Sequence, residues 1–156
     1  MNNLENVIGE LCKFLLPISE EIYLGNVDSS IAICTLSSMD LLKKISNSDL
    51  LNHISIAGRL LSENKGIDSM IKYVNTNKKI ETIIVCGKEV WGHKAGHSLF
   101  ALHKNGVDNY GRIINSTSPD PFLTVTNSEI NYFQNEINLI NIINETNFNT
   151  IKKFVI

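Results

Sequence analysis

Apolar residues recur at Leu4, Val7, Ile8, Leu11, Cys12, Leu15 and Leu16, and the run stops at Pro17. Spacing of three and four predicts an amphipathic helix within residues 1–20, packed on the rest of the fold or on a partner. Residues 21–24 read as extended, and Gly25-Asn26-Val27-Asp28 as a turn. Then the pattern changes. Residues 31–36 (Ile-Ala-Ile-Cys-Thr-Leu) form a short, nearly continuous apolar run, the mark of a strand buried on both faces. A helix is expected over about 39–45, then a short apolar piece over 53–57 that Gly58 breaks. Glu63-Asn64-Lys65-Gly66 leads into a helix with Ile67, Met70 and Val74 on one side. Residues 80–86 are the clearest strand, and a helix over about 94–104 ends at Asn105-Gly106, a good C-terminal cap. Thr126 and Glu129 have capping-box spacing and open a helix carrying Ile130, Phe133 and Ile137. A strand over 139–143 and a short helix over 149–155 complete the reading.

Strands alternating with helices predict an α/β fold, a mostly parallel sheet flanked by helices in a single domain. In such sheets ligands bind beyond the carboxyl ends of the strands. Three ends are visible: Thr35-Leu36-Ser37-Ser38, Ala57-Gly58-Arg59 and Cys86-Gly87-Lys88-Glu89. The third opens a loop in which Gly92 precedes His93 and Gly96 follows it. Glycines there would let a bulky flat ligand approach the backbone. His93 falls at a predicted helix start, whose positive end disfavours the imidazolium and leaves a neutral nitrogen able to bind a metal. By spacing alone His93 is either such a ligand or a surface histidine at a loop–helix junction. His97, one turn on, has no accompanying Glu or third ligand of the His-Glu-x-x-His kind. Trp91 either stacks on a ligand or covers the loop.

Composition narrows the field. The net charge of −2 and the lack of a dense Lys/Arg run argue against a nucleic-acid binder. The 156 residues are 43% hydrophobic and 19% charged, enough for one well-buried core. Cys12, Cys34 and Cys86 form no CxxC, so neither a zinc site nor a disulfide framework is indicated. With no apolar run approaching the ~18 residues of a membrane span, a soluble cytoplasmic protein is expected.

The loop itself is distinctive. Cys86-Gly87-Lys88-Glu89-Val90-Trp91-Gly92-His93-Lys94-Ala95-Gly96-His97-Ser98-Leu99, continued by Ala101-Leu102-His103-Lys104-Asn105-Gly106-Val107-Asp108, resembles the signature of the A subunit of tetrahydromethanopterin S-methyltransferase. Ile56-Ala57-Gly58 and Ser62-Glu63-Asn64-x-Gly66-Ile67 resemble a second strand end and helix start of that family. The resemblance implies a Rossmann-like domain over 21–156 carrying a cobamide, a corrinoid of the vitamin B12 (cobalamin) type, with His93 as the lower ligand to cobalt. It implies a corrinoid site built from His93, Gly92, Gly96, Ser98, Gly87, Glu89, Thr35, Leu36, Ser37, Gly58, Glu63 and Asn64. The implied activity is that of a methyl carrier, loaded from a methyl-tetrahydropterin and unloaded to an acceptor such as coenzyme M. The implied partners are other subunits of the complex, among them a pterin-dependent methyltransferase. The common corrinoid motif Asp-x-His-x-x-Gly is met only in its second half, because Trp91 stands where an Asp would orient the imidazole. The alternative is a stand-alone relative that has lost the corrinoid and serves as a binding or regulatory module.

Overall fold

The computed structural model describes residues 21–156, so the helix expected within residues 1–20 lies outside the described residues. Five strands form one sheet: β1 (Ile22–Leu24), β2 (Ile31–Cys34), β3 (Ile56–Gly58), β4 (Thr82–Val85) and β5 (Asn138–Asn141). Their order is β1-β3-β2-β4-β5, parallel throughout except for β1, which pairs antiparallel with β3 at the edge. This is the mostly parallel, Rossmann-like α/β sheet that the alternation of elements predicts.

The strands that the sequence marks most clearly are the central ones. Register places Ile33 beside Ile84, and Ala32 and Cys34 beside Ile83 and Val85. Ile33 and Ile84 enter the core under α1 (Met39–Ser46) and the last helix, α5 (Phe148–Lys152). Ala32, Cys34, Ile83 and Val85 face the opposite core. That core is covered by α2 (Lys65–Thr76), α3 (Ala95–Asn105) and α4 (Asn127–Glu136). Because both faces are packed, every residue of these two short strands except the first is buried, which is why they read as unbroken apolar runs.

The apolar piece over 53–57 proves to be two elements. A 3-10 turn over Asp49–His53 buries Leu50, and β3 begins three residues later. His53 ends that turn, and its carbonyl accepts from the Ser29 hydroxyl at 2.8 Å. The capping box predicted at Thr126 is present in full. The Thr126 hydroxyl accepts from Glu129 N, and Glu129 Oε2 accepts from Thr126 N at 2.7 Å.

Strand order reverses between β2 and β4. The loops leaving these strands, residues 35–38 and 86–94, therefore diverge around the crevice where open α/β sheets bind ligands. They touch, since Ser37 donates through its hydroxyl to Lys88 O at 2.8 Å and through its backbone N to the same oxygen at 3.1 Å. Among the described residues no helix is long and apolar enough to cross a membrane.

Candidate metal-ligand site at the β4–α3 loop

β4 gives way at Cys86 to a loop that must double back tightly beside β2. Gly87 makes this possible: it has φ +75°, and a Cβ there would lie 2.2 Å from Thr35 O. The loop then runs to Lys94, which sits in the left-handed region at φ 48° before α3 begins. Lys94 offers no side-chain cap. Glu89 supplies it instead, accepting from Gly96 N at 3.0 Å and His97 N at 2.8 Å, as well as from Val90 N at 2.7 Å. A carboxylate thus already sits on the positive end of α3. The field of that helix end is thus met by Glu89, and His93 lies before the first turn.

What holds His93 is a different carboxylate. His93 Nδ1 donates to Glu63 Oε2 at 2.8 Å, and the other Glu63 oxygen accepts from Asp120 N at 3.0 Å. The Glu63 side chain is 2% exposed and the His93 ring 56% exposed. A carboxylate partner of this kind selects, for the neutral ring, the tautomer protonated on Nδ1, whose lone pair is on Nε2. The orienting acid that Trp91 displaces from the loop is therefore supplied in space by Glu63, from the loop after β3. Asn64 extends the same seam. Its Oδ1 accepts from Lys65 N at 2.7 Å, capping α2, while Nδ2 donates to Asp120 Oδ2 at 3.0 Å.

The remaining candidate residues divide sharply. Gly92 has φ +79°, and a Cβ there would meet nothing within 4 Å, so its surroundings are open. Trp91 is 96% exposed and covers nothing in this loop. Gly96, in contrast, faces protein: a Cβ would lie 2.8 Å from Glu89 Oε2, 2.9 Å from Ile143 Cδ1 and 3.1 Å from Leu36 Cδ1. Gly96→Val should therefore lower stability by about 1–3 kcal/mol through overpacking, measurable as a lower melting temperature. Leu36 is fully buried with φ 49°, and Thr35 is buried with its N donating to Gly58 O at 2.9 Å. A Cβ on Gly58 would meet Ile22 at 3.0 Å, so close strand packing accounts for this glycine.

Ser98 is buried and its hydroxyl joins those of Ser116 and Ser118, at 2.7 and 2.6 Å. This cluster fastens the loop after α3 to the helix. His97 does similar work, because its Nε2 accepts from Thr117 N at 3.1 Å. His103 Nε2 donates to Ile137 O at 2.7 Å, and its ring packs edge-on against Phe133. Of the histidines in the α3 region, His93 is the exposed one, whereas His97 and His103 are half-buried and engaged through Nε2. Thr35, Leu36, Ser37, Gly58, Gly87, Glu89, Gly96 and Ser98 build the frame, His93 and Gly92 are exposed, and Glu63 lies buried against His93.

Nor do other protein donors gather there. Among the described residues no group of three His, Cys, Asp or Glu side chains could hold a metal ion. Cys86, at the root of the loop, is buried, and burial pushes its thiol well above the usual cysteine range. It is therefore a protonated, inert core residue at neutral pH.

The chain has clear relatives among known proteins. Residues 15–156 match the family described as the A subunit of tetrahydromethanopterin S-methyltransferase. A Methanosarcina barkeri protein named as the A subunit of the methyltransferase Mtx is 38% identical over 132 residues, covering 84% of this chain and 63% of that protein. Methanothermobacter marburgensis has two tetrahydromethanopterin S-methyltransferase A subunits. The one numbered 1 is 34% identical over 137 residues, 86% of this chain and 56% of its own length. The chain thus spans less than two thirds of the length of either relative. On the extent of these matches, the chain belongs to the family of tetrahydromethanopterin S-methyltransferase A subunits.

Proposed function

We propose that this domain is the corrinoid-carrying component of a methyltransferase, with His93 Nε2 as the protein's axial donor to cobalt. The observation that carries the reading is the His93–Glu63 pair. A buried carboxylate holds one ring nitrogen at 2.8 Å, while the His93 side chain itself stays half exposed. Histidine ligands are commonly oriented this way, and the acceptor both fixes the tautomer and raises the donor strength of the free nitrogen. The open space beside Gly92 leaves room for a flat macrocycle to approach the loop.

A corrinoid bound there would supply the methyl-accepting and methyl-donating chemistry, which no side chain of this domain provides. The chain's own part is to bind, orient and sense. Glu63 links His93 to Asp120 N, so any movement of the imidazole is felt directly by the loop over 115–122. The methyl donor is read as a methyl-tetrahydropterin and the acceptor as a small thiol such as coenzyme M. The partners are then further subunits of such a complex, including a pterin-dependent methyltransferase. Membership of the family supports this reading.

The test is direct binding. The purified chain is incubated with a cobamide and passed through a gel-filtration column while visible absorbance is recorded. Corrinoid absorbance should co-elute with the protein near one equivalent. Absorbance eluting wholly as free cobamide would favour the reading in which this relative serves as a binding or regulatory module without corrinoid.

A further inference from the structure

We propose that the apolar cavity between the sheet and α2 binds a small amphipathic monoanion, an alkyl carboxylate whose head group is held by Arg59. The cavity measures about 260 Å³ and lies over β2 and β3, walled by Ile56, Leu60, Met70, Tyr73, Val74 and Ile83. It borders Ile22, which is 56% exposed. Packed interiors leave few voids larger than a water molecule, so a space of this size between core elements calls for an occupant. The residues of α2 that line it run from Gly66 to Val74. At a rise of about 1.5 Å per residue they span about 12 Å, enough for a short extended alkyl chain.

Charge selects the head group. Among the described residues that line the cavity, Arg59 is the only one with a charged side chain. Its Nε is buried, and among the described residues no acceptor reaches it. Buried donors in folded proteins are almost always paired, so an acceptor belongs at this position. A guanidinium presents Nε–H and one Nη–H side by side, a fork that matches the two oxygens of a carboxylate. A phosphate dianion would find no second cation among these residues. Arg59 directly follows β3, which places the head group at the carboxyl end of the strands. The chain then runs toward their amino ends, where Tyr73, late in α2, and Ile80, just before β4, line the cavity. Neither His93 nor Glu63 lines it, so the site stands independently of the cobalt assignment.

Octanoate is the probe. Calorimetric titration of the full chain should show saturable binding of one octanoate per chain, with a rise in melting temperature as the ligand is added. Octylamine, which has the same chain and the opposite charge, should bind at least ~10-fold more weakly. Arg59→Gln should weaken octanoate binding about 10–100-fold, the usual worth of a charge-assisted hydrogen bond. Met70→Trp, which fills the cavity with a ring, should abolish binding in a variant that still melts cooperatively. No saturable binding at millimolar octanoate would overturn the proposal. So would equal affinities for octanoate and octylamine, or octanoate binding that both variants leave intact. A concentration-dependent dimer in gel filtration that Met70→Trp dissociates would also overturn it, and would assign the cavity to a second copy.

Discussion

His93→Ala is expected to lower cobamide affinity by at least the ~10–100-fold that loss of a ligand's supporting partner commonly costs, while leaving the fold intact. The ring is half exposed, so its removal opens no core cavity, and among the described residues its hydrogen bond is to Glu63. Some stability should still be lost, since the buried Glu63 oxygen that faces Nδ1 would depend on water for a partner. Titration by visible absorbance, with the melting temperature measured in parallel, separates the two effects. His97→Ala is the informative control. His97 Nε2 is engaged by Thr117 N, so that variant should disturb the loop over 115–118 and retain cobamide. An affinity lost in His97→Ala and kept in His93→Ala would move the metal to the wrong histidine for this account.

Substitution of Glu63 should have the next largest effect, and the choice of replacement matters. Glu63→Ala strips both acceptors at once. A buried Asp120 N–H left unpaired should cost about 1–3 kcal/mol, and His93 would be free to rotate. Glu63→Gln preserves the shape but offers one oxygen and one NH₂ to two donors. If the amide oxygen keeps Asp120 N, its NH₂ faces His93 Nδ1 and selects the tautomer protonated on Nε2, which cannot bind a metal. Glu63→Gln is therefore expected to cost cobamide affinity, about 10–100-fold, with a smaller loss in melting temperature than Glu63→Ala. Equal affinities of wild type and Glu63→Gln would mean that the tautomer is set by something other than this carboxylate.

Much of the fold was legible because the chain declares its buried strands as apolar runs and its helices by spaced apolar residues. The edge was harder. The piece over 53–57 merged the end of a 3-10 turn with β3, since Ile54, just past the turn, and Ala57 of β3 are both fully buried. At the site, His93 and its flanking glycines stand out within one loop, and the resemblance drew in Glu63. Their pairing was not legible, because it joins positions 30 residues apart that only the sheet brings together. The role of Glu89 had a fainter signal. A helix starting after Lys94 lacks any capping side chain at that position, and an acidic residue a few positions upstream is the available substitute. Ser98 could not have been assigned to a hydroxyl cluster, since its partners Ser116 and Ser118 lie in a loop with no periodic pattern to place it.

The claim at the centre of this account is that one nitrogen of His93 coordinates cobalt. Electron paramagnetic resonance of the cobalt(II) form, bound to protein carrying nitrogen-15 in its histidines, reads that bond directly. The account predicts coupling to a single protein nitrogen, with the splitting of nitrogen-15 in labelled protein and of nitrogen-14 in unlabelled protein, and its disappearance in His93→Ala. A spectrum of bound cobamide indifferent to the label, or a labelled coupling that persists in His93→Ala, would contradict it.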